Sequence, residues 1–320
     1  MMIENVAPYS LVFGVSVFDI CGFTDRNYRC NDSNPGKVST SFGGVCRNIA
    51  ECMARVGVNT KFISILGDDE TGTRMIEHSK VMNYDMSNSL IVKNANTPTY
   101  MAILDEQGEM VSAVVDMKII DMFTTDFIDS KSEIIKNSEY MILDSDRPDI
   151  VEYIIKTFKD NTNFILDPVS AAKAKNVKHL IKDFHTIKPN RYEAEIMCGF
   201  KIKNDEDLRK AGQYFIDLGI KNVFITLDED GIYYNNGKEE GKIKANDVEV
   251  VNVTGAGDSF VAGIASGYMN NIDLVDTVKY AISMSSITIS TKETIHPDMC
   301  HELVKEYMEK MDWTEVNYKK

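Results

Sequence analysis

From Tyr140 onward, short apolar runs alternate with amphipathic ones. YMILD (140–144) has the length of a buried strand, and IVEYIIKTF (150–158) repeats its apolar residues at helical spacing. NFILD (163–167) and HTIKPN (185–190) again read as extended, the latter as a short strand and turn. RYEAEIMCG (191–199) and DEDLRKAGQYFIDLG (205–219) read as helices, and NVFITLD (222–228) as a strand. Strands separated by helices return parallel, because a tight turn can join only antiparallel neighbours. The pattern therefore predicts an α/β fold, a three-layer α/β/α sandwich around a mostly parallel sheet.

Upstream, SLVFGVSV (10–17) reads as one buried strand. GGVCRNIAECMARVG (43–57) reads as a helix with Val45, Ile49, Met53 and Val56 on one face, opened by two glycines and closed by Gly57. TKFISILG (60–67) is a strand, and TYMAILD and MVSAVVD form a hairpin through EQG (106–108). The polar segment RNYRCNDSNPGKVSTS (26–41) suits a loop with short extended pieces lying over a site. After Asp258 the chain reads as helical to its end. One domain over 1–320 is expected, with a small β-strand lid from excursions near 23–41 and 97–118.

The balance of charge narrows the partners. With 35 Lys and Arg against 49 Asp and Glu, the net charge is −14, which opposes nucleic-acid binding. No apolar run is long enough to cross a membrane. Six cysteines without a C-x-x-C pair or zinc spacing, behind a start that does not read as a signal peptide, suggest reduced thiols in a cytoplasmic protein.

Within that frame NVTGAGDSF (252–260) stands out. Glycines lead into a helix whose free N–H groups favour an anion. Asp258 beside it could take a proton from an attacking hydroxyl, so the stretch offers the two elements of phosphoryl transfer. The plainer alternative is an aspartate capping a helix after a glycine turn.

The Gly-Gly helix at 43–57 with Gly67 downstream, followed far along the chain by NVTGAGDSFVAG, resembles the two signatures of the PfkB, or ribokinase-like, carbohydrate kinases. Asp19, KPNRYEAE and TLDEDG stand in the matching order, so the resemblance covers nearly the whole chain. It implies a ribokinase-like fold, ATP as phosphoryl donor and Mg²⁺. Asp258 would be the base, and Gly255, Ala256 and Gly257 the anion hole. Asn190 and Glu193 would lie near the phosphates and hold Mg²⁺ through water, and Thr226 and Gly231 would hold the nucleotide. Asp19, Gly43, Gly44 and Asn48 would hold the sugar. Segments such as DSNPGKVSTS, NTPTYMAILDEQGEMV and LDPVSAAKAK further resemble members that phosphorylate the ribose 5′-hydroxyl of pseudouridine. Ser33 and Asn34, with Thr97, Asp116 and Lys118, would then reach the base from the lid, or else serve as turn and surface residues. Another nucleoside or a free sugar as acceptor stays open, as does a non-catalytic nucleoside-binding regulator.

Four positions depart from the family pattern. Val17 stands where many relatives have asparagine, Cys46 where a glycine is usual, and Asp228 where a glycine is common. Asn252 replaces a frequent aspartate in a segment near which relatives hold a monovalent cation, so that cation is left open. Lid strands in this family pair between subunits, which makes a homodimer possible.

Overall fold

A computed structural model describes residues 7–319. In chain order its strands begin with β1 (Ser10–Phe13), β2 (Val17–Thr24) and β3 (Gly36–Gly43), followed by helix α1 (Val45–Arg55). Next come β4 (Thr60–Ile63), β5 (Ile65–Gly67), α2 (Glu70–Val81), β6 (Leu90–Val92), β7 (Thr99–Leu104) and β8 (Met110–Asp116). Two short helices, α3 (Thr125–Ser130) and α4 (Ser132–Lys136), lead to the alternating half: β9 (Tyr140–Leu143), α5 (Pro148–Phe158), β10 (Asn163–Leu166), α6 (Ala171–Val177), β11 (Thr186–Ile187), α7 (Arg191–Cys198), α8 (Asp205–Asp217) and β12 (Asn222–Thr226). The chain closes with β13 (Ile232–Asn235), β14 (Glu240–Ala245), α9 (Ala256–Met269), α10 (Leu274–Ile289), α11 (His301–Lys310) and β15 (Trp313–Lys319).

Nine strands form the central sheet in the order β15-β14-β13-β12-β11-β10-β9-β1-β4. The pairs from β4 to β12 are parallel, and β13, β14 and β15 extend the sheet antiparallel. Strand periodicity builds the three layers, since alternate residues point to opposite faces. Leu11, Phe13, Met141, Leu143, Phe164, Leu166, Val223 and Ile225 join the core under α5 to α8. Val12, Ile142 and Ile165 join the opposite core under α1, α9 and α10.

Three expectations change. The run 10–17 is not one strand: the chain breaks at Gly14–Ser16 and β2 leaves for a second sheet. TKFISILG likewise divides, β4 joining the central sheet and β5 pairing with β6. The chain does not end helical, because β15 covers the edge of β14. Alternation along 313–319 is weak, with every residue at least partly exposed, so no apolar face marks it as a strand.

The second sheet has four strands in the order β3-β2-β7-β8. Its register puts Asp19 opposite Ser41 and Tyr100 on one face, and Phe18 opposite Phe42 and Thr99 on the other. Because strands β1, β4 and β9 to β12 run parallel, their C-terminal ends share one edge. Gly14, Asp144, Asp167, Lys188 and Thr226 follow or end those strands there, the place where open α/β sheets take ligands.

Candidate active site

Helix α9 opens at that edge without a side-chain cap. Its N-cap Gly255 has φ 82°, and a Cβ there would lie 2.3 Å from the Thr294 carbonyl oxygen. Only glycine fits that turn without strain. Ser259 N–H donates to the Gly255 carbonyl at 2.9 Å, and the N–H groups of Gly257 and Asp258 meet no acceptor among the described residues. Ser285 Oγ donates to the Ala256 carbonyl at 2.7 Å and holds the turn against α10. The unpaired N–H groups and the helix dipole make this end a seat for an anion.

Lys188 completes it. The residue is 6% exposed, and its Nζ lies 3.0 Å from where a Gly257 Cβ would be. Its ammonium pairs with Asp167 at 3.3 Å. Burial alone would lower the Lys188 pKa, yet Asp167, Glu193 and Asp258 outweigh it and hold the pKa above its ordinary value. A permanent positive charge therefore faces the glycine turn.

Asp258 sits in the first turn of α9 and accepts a hydrogen bond on Oδ2 from Asn48 Nδ2 at 2.8 Å. The residue keeps part of its surface open, but the carboxylate is hemmed in by protein. Burial and the neighbouring Asp167 push its pKa up to about 7, against the opposing pull of Asn48, Lys188 and Arg47. A carboxylate with that affinity for protons suits a general base near neutral pH.

Asp19 faces the same space from β2. A Cβ on Gly43 would lie 2.0 Å from Asp19 Oδ2, so the carboxylate rests directly against the glycine backbone. Burial raises its pKa to about 6, with Arg47 opposing. Gly44 is the N-cap of α1, and Asn48 N–H donates to its carbonyl at 2.9 Å. Asp19, Gly43, Gly44, Asn48 and Asp258 are thus brought together. Cys46 is fully buried, its Sγ donates to the Phe13 carbonyl at 3.2 Å, and burial beside Asp144 drives its pKa well up. It is a packed thiol, not an activated one.

On the other flank Asn190 and Glu193 form a reciprocal capping box on α7: Glu193 N–H donates to Asn190 Oδ1 at 2.9 Å, and Asn190 N–H to Glu193 Oε2 at 2.8 Å. Glu193 is 2% exposed, and burial raises its pKa. Thr226 bridges to Asn190 across the strand ends. Gly231, at φ 88°, follows an exposed turn in which Asp228 takes φ 52°. A left-handed position explains why glycine suits 228, and aspartate is among the residues that tolerate it.

The remaining expected groups lie apart. Thr97 is buried and spends its hydroxyl on Asp69 Oδ1 at 2.6 Å, while its N–H meets Asp69 Oδ2 at 2.8 Å. Asp116 pairs in register with Thr99, on the sheet face opposite Asp19. There it lines a cleft of about 350 Å³ with Asp69, Asn96, Met101 and Val114. Ser33 is exposed in a turn, Asn34 ties that turn to Arg29, and Lys118 begins a single 3-10 turn. Asp144, Asp167, Lys188 and Arg47 were not anticipated. The first three share one sequence signal: each directly follows the last apolar residue of a parallel strand.

The pfkB family carbohydrate kinase pattern matches residues 7–299. The chain belongs to that family. It is 32% identical to the pseudouridine kinase of Escherichia coli (strain K12) over 91% of this chain and 93% of the relative. It is 29% identical to a ribokinase of Staphylococcus aureus (strain COL), over 77% of this chain and 81% of that one. A Clostridium perfringens protein of known crystal structure superposes with a TM-score of 0.95 at 62% identity, covering 99% of this chain and all of that one. An Arabidopsis thaliana ribokinase complexed with ribose and ATP superposes with a TM-score of 0.82 at 21% identity, over 94% and 99% of the two chains. The sheet, the helices on both faces and the second sheet are therefore ribokinase-like, and the chain is a kinase of the pfkB family.

Two ions that the family implies can be compared with the residues present. Among the described residues, no cluster of three His, Cys, Asp or Glu side chains could cage a metal. Mg²⁺ needs none, since it keeps waters and rides on phosphates; Glu193, with one oxygen outside the capping box, fits that use. At the position of the frequent aspartate, Asn252 donates through Nδ2 to the Lys292 carbonyl at 3.1 Å and accepts from Thr254 N–H at 3.0 Å. Each end of its amide therefore has a partner within the protein, where an aspartate would face the Lys292 carbonyl with a second acceptor.

Proposed function

We propose that this kinase transfers the γ-phosphoryl group of ATP to the ribose 5′-hydroxyl of pseudouridine, in the cytoplasm. The arrangement that carries the reaction is Asp258 beside the uncapped start of α9, with Lys188 at Gly257. The acceptor hydroxyl gives its proton to Asp258, and its oxygen attacks the γ-phosphorus. A new P–O bond forms, the bond to the β-phosphate oxygen breaks, and ADP leaves. The negative charge of the transferring group meets the α9 N–H groups and the Lys188 ammonium. Glu193 and Asn190 would hold Mg²⁺ through water, and the ion would neutralise charge on the nucleotide. Asp19 accepts from the ribose hydroxyls, with Gly43 and Gly44 letting the sugar approach the backbone. Thr226 and Gly231 flank the phosphates. The nucleoside end of ATP takes the cleft of about 370 Å³ between residues 246–249 and Ser286, Ser290 and Lys310.

Pseudouridine as acceptor rests on the likeness to the Escherichia coli enzyme over nearly the full length of both chains. ADP release with Mg-ATP, measured against pseudouridine, uridine, inosine, adenosine, ribose and fructose, tests it. A kcat/KM at least about tenfold higher for pseudouridine than for any other is expected. Equal or better turnover of a free sugar overturns the acceptor and leaves the kinase.

A further inference from the structure

Asn48 can help Asp258 only if its amide faces the right way. Its nitrogen and oxygen ends have nearly the same shape, so the partner of one end decides what the other offers. That partner is Arg47. The Arg47 side chain is 8% exposed, and its Nη1 donates to Asn48 Oδ1 at 2.9 Å and to the Phe42 carbonyl at 2.7 Å. Arginine carries donors and no acceptor. The Asn48 oxygen must therefore face Arg47, and its NH₂ must face Asp258 Oδ2. With Oδ2 engaged, Asp258 Oδ1 is the oxygen left for an incoming hydroxyl.

Arg47 is itself tightly held. Its Nη2 pairs with Glu51 and lies 3.2 Å from His78 Nε2. Glu51 also accepts from Arg55 Nε at 2.8 Å and lies 2.8 Å from His78 Nε2. Arg47 Nε has no partner, so the guanidinium is fixed by its two terminal nitrogens alone. Its Phe42 bond reaches the C-terminal end of strand β3, which joins the second sheet to the Gly-Gly turn.

We propose that Arg47 is a positioning residue for phosphoryl transfer: by orienting the Asn48 amide, it aims the free carboxylate oxygen of Asp258 at the acceptor hydroxyl. The inference rests on Asp258 being the base. Arg47 also acts through its charge, which favours the ionised forms of Asp258 and Asp19. Around Asp258 the other charged groups are Lys188 and Asp167 from the strand ends. Around Arg47 they are Glu51 and Arg55 on α1, His78 on α2 and Asp19 on β2, with the Tyr84 hydroxyl nearby.

The test is the pH–rate profile of Arg47→Met and Arg47→Lys, with KM for ATP measured beside it. For Arg47→Met, kcat is expected to fall about tenfold or more, and the acidic limb to move to higher pH. KM for ATP should stay as in the wild type. Arg47→Lys, which keeps the charge but loses the planar fork, should restore the limb and not kcat. Should Arg47→Met fail to fold because Glu51 is left buried and unpaired, Arg47→Met with Glu51→Gln removes that charge and carries the same expectation. Glu51→Gln alone leaves both Arg47 bonds to Phe42 and Asn48, so wild-type kcat is expected; a loss as large as that of Arg47→Met would show that the network acts only by stability. His78→Gln removes the imidazole and should leave the limb in place. Wild-type kcat and an unmoved limb in Arg47→Met overturn the proposal. Asp258→Asn measured in parallel separates it from the parent reading, since full activity there removes the base itself.

Discussion

At the scale of single residues, Asp258 couples chemistry to stability. Its pKa stands at about 7 in the folded protein against 3.8 for a free aspartate. As the proposed base, Asp258 must be ionised to act, so kcat/KM should rise with pH and level off above about 7. The sign for stability is opposite. Between the unfolded and folded pKa values the native state keeps a proton that the unfolded chain has lost, so stability contributed by this group falls as pH rises through that window. Asp258→Asn abolishes both effects. Its kcat should drop by roughly two orders of magnitude or more, while its melting temperature near pH 7.5 should match or exceed that of the wild type. Thermal melts across pH 5 to 8 with a lower melting temperature for the variant would contradict the account. Asp258 was legible as a candidate because glycines announce a close backbone approach and an acid among them demands a reason. Lys188 was not: a lysine before Pro-Asn looks like any turn residue, and only the parallel sheet brings strand ends from β9, β10 and β11 to one edge. Thr97 shows the converse, its hydroxyl and N–H both bonded to Asp69. A buried hydroxyl satisfied by Asp69 cannot be told from a ligand-facing one by its letter.

At the scale of elements, the loop into α9 carries an amide where relatives frequently carry an aspartate. Val251 and Asn252 N–H both donate to the Ile289 carbonyl, at 2.7 and 3.2 Å, and the Asn252 amide ties the loop to the Lys292 carbonyl. An aspartate there would set a carboxylate against a carbonyl, two acceptors that need a cation between them. The amide supplies its own donor. Replacing K⁺ by tetramethylammonium is therefore expected to leave kcat/KM unchanged in the wild type. Asn252→Asp should lose about threefold without K⁺ and recover with it, since the clash of two acceptors at this solvent-exposed contact is screened by water. Strong K⁺ dependence of the wild type would refute the exchange. The departure at 252 was visible in the sequence, but its meaning lay in Lys292, forty residues away. The same holds for helices and strands. α1 and α5 were legible from periodic apolar faces that the core does bury. β15 was not, because it is held by backbone pairing to β14 and carries no apolar stripe.

At the scale of the whole molecule, the second sheet has two faces with different duties. The face bearing Asp19, Tyr100 and Ala102 turns toward the candidate site, and Ala102 is buried there. The other face is partly covered where Arg74 stacks on Phe18 and Phe42. Farther out it leaves Val38 73%, Met101 45% and Val114 67% exposed, alternating along each strand with residues of the first face. Contiguous apolar surface of this kind on a chain with net charge −14 asks for a cover. A second copy of the same sheet offers matching apolar residues, and a two-fold contact would be self-complementary. The chain is therefore expected to sediment as a dimer at micromolar concentration. Met101→Glu with Val114→Glu should shift it to monomer, by placing like charges across the two-fold contact. Because both residues lie on the strands that carry Tyr100 and Val115 on the other face, the monomer should also bind its acceptor more weakly, raising KM for the acceptor more than KM for ATP. A wild-type monomer would leave that face without a role. A dimer unaffected by the double substitution would place the contact elsewhere and free the second sheet to move on its own as a lid.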